Sequence, residues 1–176
     1  MTSLLVTLLL LAAILAVFGT LAYGAISAAP WVPMPTRDVE RLLNLANLKP
    51  DELIYDLGCG DGRLIVSAAE RYKVRAVGYE LALLPFCFAW LRKIISPARS
   101  RISIRYENFW KVDLSQVDVV VCFLTPYAMR KLESKIAHEL IKTGSRLLSY
   151  SFRLHSRTPS LVNKEKQSDA PIYVYT

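Results

Sequence analysis

Asp56-Leu57-Gly58-Cys59-Gly60-Asp61-Gly62-Arg63 is the stretch on which the fold turns. It follows a short apolar run, Leu53 to Leu57, and opens a segment of helical period, Arg63 to Tyr72. That strand-to-helix context is what gives a glycine-rich loop meaning. Three alternate glycines let the backbone turn sharply and approach a ligand with no Cβ in the way, while amides at the helix start offer donors. A nucleotide-shaped ligand is implied.

Spacing and charge narrow the ligand. A dinucleotide fingerprint reads G-x-G-x-x-G and sets a pyrophosphate against the helix N-terminus, whereas the spacing here is G-x-G-x-G. Asp56 and Asp61 flank the turn, and a like-charge contact with phosphate at ~4 Å costs about 1 kcal/mol even in water. A cationic ligand is favoured instead. S-adenosylmethionine carries an ammonium and a sulfonium and no phosphate, so it suits Asp56, Gly58, Cys59, Gly60, Asp61 and Gly62. No G-K-[ST] follows, which excludes a Walker loop.

Further along the chain, Glu80 ends the next strand, 22 residues beyond Gly58, where an acid can accept hydrogen bonds from both ribose hydroxyls. Asn108 ends the third strand and is placed to bond the adenine edge, with Phe109 or Trp110 to cover its face. Core packing remains the alternative for Trp110. Thr125 and Pro126 follow the fourth strand at the carboxyl edge, where open α/β sheets bind ligands, and are candidates for lining an acceptor channel.

Around these positions, β-branched runs alternate with amphipathic segments, the pattern of a parallel sheet wrapped by helices. Strands are expected at Leu53 to Leu57, Val74 to Tyr79, Ile102 to Tyr106, Val117 to Phe123, Arg146 to Phe152 and Ile172 to Tyr175. Ser160 to Lys166 stays unassigned. Helices are expected at Arg63 to Tyr72, at Leu83 to Ile95, and along a stripe of Met129, Leu132, Ile136, Leu140 and Ile141 closed by Gly144. The fold class is therefore α/β, a small Rossmann-like sheet with flanking helices.

The first 36 residues contain no Asp, Glu, Lys or Arg, so the whole formal charge of +7 lies beyond them. Leu4 to Ala29 runs 26 residues without a charge, and as a helix at about 1.5 Å per residue it exceeds the ~30 Å hydrocarbon core. The run is too long for a cleaved signal, and its start carries no side-chain charge. The expected partner of residues 4–29 is a bilayer. Arg37, Arg41 and Lys49 follow the span, which places the remaining domain on the cytoplasmic side.

Pro30, Pro33 and Pro35 end the helix, and Trp31 takes an interfacial position. Thr36 is then an N-cap for a short helix with Val39, Leu42, Leu43 and Ala46 on one face, a lid or brace joining anchor and domain. Residues 1–29 are read as anchor, 30–50 as linker and short helix, and 51–176 as the folded domain.

Cys59, Cys87 and Cys122 lie far apart in apolar stretches without ligand-spaced histidines, which suggests small buried thiols and no metal site. Arg92, Lys93, Arg99, Arg101 and Arg105 are read as dispersed surface charge in preference to a nucleic-acid patch. His138 falls on a polar helix face, and His155 follows the fifth strand as a minor candidate for substrate contact.

D-L-G-C-G-D-G-R, the G-Y-E ending at Glu80 and E-N-F-W-K-V-D-L-S from Glu107 to Ser115 resemble class I methyltransferases. The order membrane span, P-W-V-P, D-L-G-C-G-D-G-R, G-Y-E and F-W-K-V-D-L-S resembles the membrane-anchored protein-lysine methyltransferases related to those modifying the mitochondrial ADP/ATP carrier and the c-ring protein of ATP synthase. The likeness runs from the anchor to about Phe152.

It implies a class I fold, S-adenosylmethionine as cofactor, and a membrane-associated protein substrate presenting a lysine. It also implies that the glycine loop holds the methionine part, Glu80 the ribose and Asn108 the adenine. Asn108 departs from the Asp common at that position. Leu124-Thr125-Pro126-Tyr127, at the end of the fourth strand, lacks the D/N-P-P-Y/F motif of many enzymes that methylate planar nitrogens, which argues against base methylation. No dedicated catalytic base is evident.

Overall fold

A computed structural model describes residues 2–139 and 144–176. Among them, seven strands form one sheet in the order β3-β2-β1-β4-β5-β7-β6. The strands are β1 (Leu53–Leu57), β2 (Arg75–Glu80), β3 (Ile102–Tyr106), β4 (Val119–Cys122), β5 (Arg146–Tyr150), β6 (Leu161–Asn163) and β7 (Ile172–Tyr175). The first five run parallel, while β7 runs antiparallel to both β5 and β6. Leu57 at the end of β1 pairs with Tyr79 on one side and Cys122 on the other. Strand order reverses there, and the crevice outside that carboxyl edge is where such sheets bind ligands.

The helices are α1 (Thr2–Ser27), α2 (Thr36–Ala46), α3 (Arg63–Tyr72), α4 (Leu83–Ile95) and α5 (Pro126–Glu139). One sheet face packs against α2 and α3 through Leu42, Leu43, Ala46, Ile65 and Ala68, all fully buried, with Ile54, Val119 and Leu148 from the strands. The other face packs against α5 through Met129, Leu132 and Ile136, with Leu57, Val120 and Leu147 beneath them. Each fully buried Leu or Ile contributes roughly 1.5–3 kcal/mol. α2 is also held by polar contacts: Arg41, 7% exposed, donates to Asp38 at 2.6 Å and to Asn163 Oδ1 at 2.7 Å, and Tyr150 donates to Asp38 at 2.7 Å.

Several element ends differ from expectation. Thr36 is the first helical residue and not the cap; Pro35 occupies the cap position, and its carbonyl accepts from Asp38 and Val39. β2 starts and ends one residue later than expected, which makes Glu80 its last residue. β4 is shorter because Val117 donates back to Leu114 in a turn. β5 stops at Tyr150 because Ser151 adopts a φ of 72°, in the left-handed region. The unassigned stretch contains β6, whose exposed Leu161 and Val162 carry no apolar alternation. α5 begins at Pro126, a turn before Met129. Leu140, Ile141 and the side chain of His138 lie outside the described residues, and Gly144 has a φ of +86°.

Candidate active site

The glycine loop hangs from the end of β2: the amides of Gly58 and Cys59 both donate to the Tyr79 carbonyl, at 3.0 and 2.9 Å. Gly60 has a φ of 56° and Gly62 one of 74°. A Cβ on Gly60 would lie 3.0 Å from the Trp31 ring, and one on Gly62 would lie 2.9 Å from the Ala89 Cβ of α4. Gly60 therefore admits a roof residue, and Gly62 admits close packing of α3 on α4. Cys59 turns its thiol away from the loop onto Gly78, where an added Cβ would lie 2.7 Å from the sulfur. Burial, reinforced by Asp56 and Glu80, pushes that thiol well above its ordinary range, so it is an inert packing group.

Asp56, Gly58, Cys59, Gly60, Asp61, Glu80 and Phe109 line one cavity. Gly62, Asn108, Thr125 and Pro126 do not. The three acids differ in state. Burial, and then the neighbouring charges of Glu80 and Asp61, push the Asp56 carboxyl up to about 8. Burial alone would also raise Asp61, but hydrogen bonds from Arg63 and the charges of Arg63 and Arg92 outweigh it and hold Asp61 below the ordinary range. Arg63 grips Asp61 at 2.8 and 2.9 Å, and Arg92 reaches it at 2.9 Å. Asp61 is thus neutralised within the protein, which leaves Asp56 and Glu80 as the acids available to a cation.

Glu80 accepts the Gly60 amide at 2.9 Å on one oxygen and the amides of Leu81 and Ala82, both at 2.8 Å, on the other. It fixes the loop before it meets any ligand. Asn108 Oδ1 accepts the Trp110 amide at 3.0 Å and caps the short 3-10 turn Phe109–Lys111. Phe109 is buried with its ring 4.5 Å from that of Trp110.

The cavity has a roof that sequence reasoning missed. Leu21, Gly24, Ala25 and Ala28 of the apolar N-terminal segment line it, together with Trp31, Pro33 and Met34. This segment is bound at four points: Leu83 N donates to Thr20 Oγ1 at 3.1 Å, Trp110 Nε1 to the Ser27 carbonyl at 3.2 Å, Thr125 Oγ1 to the Ala28 carbonyl at 2.7 Å, and Arg63 to the Met34 carbonyl at 2.8 Å. Trp31, expected as an interfacial aromatic, lies against Gly60 and stacks on Phe88 with centroids 6.0 Å apart. Small residues at 24, 25 and 28 were the available signal, since they permit close approach of a helix to another surface.

Thr125 and Pro126, expected to line an acceptor channel, lie outside the lining of this cavity. The Thr125 hydroxyl is engaged by Ala28 and by the Ala128 amide, and Pro126 is the first residue of α5. Cys87, expected to be buried, is exposed on α4. His155 does not line the cavity; its amide donates to Glu133 at 3.0 Å. Of the five basic residues from 92 to 105, Arg92, Arg101 and Arg105 pair with Asp61, Asp51 and Glu107.

The architecture and cavity have counterparts among known proteins. Residues 56–161 match the ANTKMT methyltransferase domain. A protein-lysine N-methyltransferase of Saccharolobus islandicus is 36% identical over 149 residues, covering 83% of this chain and 91% of that protein. The adenine nucleotide translocase lysine N-methyltransferase of Mus musculus is 32% identical over 133 residues, covering 76% of this chain but only 57% of the mouse protein. An RNA methyltransferase of Salinibacter ruber, solved with S-adenosyl-L-homocysteine, superposes with a TM-score of 0.77 at 26% identity over 82% of this chain and 92% of that one.

The residues present fit S-adenosylmethionine, because the Gly58 and Gly60 backbone, the buried carboxyl of Asp56 and the carboxyl of Glu80 line one cavity. The sheet order, the glycine loop with its acids and the extent of these matches show that the chain belongs to the ANTKMT methyltransferase-domain family of S-adenosylmethionine-dependent enzymes.

Proposed function

We propose that this enzyme transfers a methyl group to the side-chain amine of a lysine on a membrane-associated protein, with α1 crossing the bilayer once and the catalytic domain on the cytoplasmic side. The observation that carries the reading is the roof: the same apolar helix that is long enough to span a membrane, Ser3–Ser27, covers the cavity with its last two turns. Cofactor site and span are one unit, so an acceptor must approach where α1 leaves the lipid. The relatives from Saccharolobus islandicus and Mus musculus are both lysine methyltransferases by name. Arg37, Arg41 and Lys49 follow the span, as the positive-inside tendency requires.

In this reading the Gly58–Gly60 backbone and Asp56 hold the amino-acid end of the cofactor, the remaining lone pair of Glu80 takes a ribose hydroxyl, and Phe109, which lines the cavity, receives the adenine, with Asn108 capping the turn that carries it. The cofactor supplies an electrophilic methyl. A nitrogen–carbon bond forms as the carbon–sulfur bond breaks, S-adenosylhomocysteine departs, and the amine sheds a proton to solvent. The protein contributes alignment and exclusion of water. With a lysine pKa near 10.4, only about one amine in 10³ is neutral at pH 7. The apolar walls at Ala28, Val121 and Leu124 favour that form by desolvation.

RNA is the competing acceptor, and the Salinibacter structure alone favours it. Membranes incubated with full-length protein and methyl-labelled cofactor, then separated into protein, RNA and lipid, decide between them. Label in membrane protein supports the proposal. Label confined to RNA or lipid refutes it.

A further inference from the structure

We infer that α4 lies in the plane of the bilayer surface with its exposed face in the lipid, as a second membrane contact beside α1. The inference rests on α1 being inserted, as proposed above, and is independent of what the enzyme methylates.

The exposed positions of α4 carry the first part of the case. Leu84, Phe88, Leu91 and Ile95, spaced i, i+4, i+7 and i+11, form one stripe and are 37%, 45%, 54% and 75% exposed. Cys87, Trp90 and Ile94 flank it and are exposed too. Every exposed position on the helix is apolar, whereas Arg92 and Lys93 are half-buried. An ordinary surface helix shows the opposite arrangement, and an apolar face of this kind is the mark of a helix that lies in a membrane interface.

The direction of α1 supplies the second part. Thr20 is bonded by Leu83, just past the end of β2, and Ala28 by Thr125, just past the end of β4. β2 and β4 flank β1, so they are separated by two strand spacings, about 10 Å. Eight residues of helix advance about 12 Å. α1 therefore runs across the carboxyl edge along the strand order, at right angles to the strands, and its N-terminal part leaves the domain on the β2 and β3 side. If α1 stands along the membrane normal, the strands lie parallel to the membrane. So does α4, because a crossover helix between parallel strands runs back alongside them. α4 packs on β2 and β3, at the end of the sheet from which the free part of α1 departs.

The depth of insertion agrees. From Val17 onward one face of α1 packs on the domain, yet its other face stays apolar and bare at Phe18, Tyr23 and Ile26, 67%, 56% and 82% exposed. Lipid that covers this face of α1 reaches the level at which Thr20 meets Leu83, the first residue of α4. Trp31 carries the apolar surface on from α1 to Phe88. Exposed Arg99, just beyond the helix, is placed for anionic headgroups. The occupant to which these features commit is the bilayer and not a second copy of the chain.

Cys87 is an exposed thiol on this face, and Cys59 and Cys122 are buried, so the full chain can be labelled there without mutation. The protein is reconstituted in phosphatidylcholine–phosphatidylglycerol vesicles with an environment-sensitive fluorophore on Cys87. Comparison labels are placed by Phe18→Cys and by Lys164→Cys, each with Cys87→Ser. Phe18 reports α1, and Lys164, beyond β6, reports the opposite end of the sheet.

The expected result is loss of most Cys87 emission to doxyl groups carried on the lipid acyl chains, as for position 18, and quenching of position 164 only by aqueous iodide. A Cys87 label quenched by iodide and not by lipid, with position 18 still lipid-quenched, overturns the inference and leaves the anchor standing. Protection from both quenchers together with cross-linked dimers assigns the face to a second copy and overturns it as well. Iodide quenching at position 18 removes the anchor and the inference together.

Discussion

Glu80 Oε2 accepts the amide hydrogen bond of Gly60 at 2.9 Å, and the same carboxylate takes the amides of Leu81 and Ala82. One side chain thus fixes the turn after β2 and the crest of the glycine loop from the next strand, and it presents what remains of its lone-pair capacity to the cavity. Glu80→Ala is expected to weaken cofactor binding by roughly 1.5–3 kcal/mol, the range for hydrogen bonds to charged groups. The loop is expected to loosen as well, with a lower melting temperature. Calorimetry with S-adenosylhomocysteine and a thermal melt measure the two effects; a folded variant with unchanged affinity would remove Glu80 from the site.

Asp56 gives a pH signature. Its carboxyl titrates near 8 in the folded chain and near 4 when unfolded. Between those values the unfolded chain releases a proton that the folded chain keeps, so stability falls as pH rises from about 4 toward 8. Asp56→Asn abolishes this slope and is expected to raise the melting temperature of the ligand-free protein at pH 7 while destroying cofactor binding. In the parent protein a cationic ligand selects the ionised carboxylate, so affinity declines as pH drops below about 8. Flat affinity between pH 6 and 8 contradicts the assignment.

Gly62→Ala tests the packing of α3 on α4. The new methyl would lie 2.9 Å from Ala89 Cβ, on a backbone with a φ of 74°. Strain and overpacking together are expected to cost about 2–4 kcal/mol. Urea denaturation reads the loss as a lower midpoint at unchanged slope.

Thr125→Val removes the hydroxyl that ties the Ala28 carbonyl to the head of α5. Global stability should fall by only about 1 kcal/mol, while hydrogen exchange accelerates selectively across residues 21–34, the cavity roof. Uniform acceleration throughout the sheet would mean that Thr125 is merely a helix cap.

What could be read from sequence was local. The glycine spacing and its strand-to-helix setting mark the loop because the backbone itself imposes them, and Glu80 is marked by its position at a strand end. The roof was hidden because its bonds join residues far apart: Ser27 to Trp110 across 83 positions and Ala28 to Thr125 across 97. Leu21, Gly24 and Ala25 read equally well as lipid-facing. Cys87 misled because an apolar helix with a bare face and an apolar helix in a core have the same composition. Asp61 looked like a ligand for a cation until folding brought Arg92 of α4 beside it. Removing everything before Thr36 would therefore strip the roof along with the proposed anchor, so a part of the apolar helix in substrate choice is better tested by keeping residues 17–35 in place.

Methyl transfer to a lysine amine beside the bilayer is tested by residue-resolved mass spectrometry of membranes incubated with full-length enzyme and deuteromethyl cofactor. Deuterated methyl-lysine is expected on membrane proteins at positions close to the lipid surface, and is absent with Asp56→Asn. Deuterated methyl groups on RNA or lipid with none on any lysine, or methyl-lysine produced equally by Asp56→Asn, would contradict it.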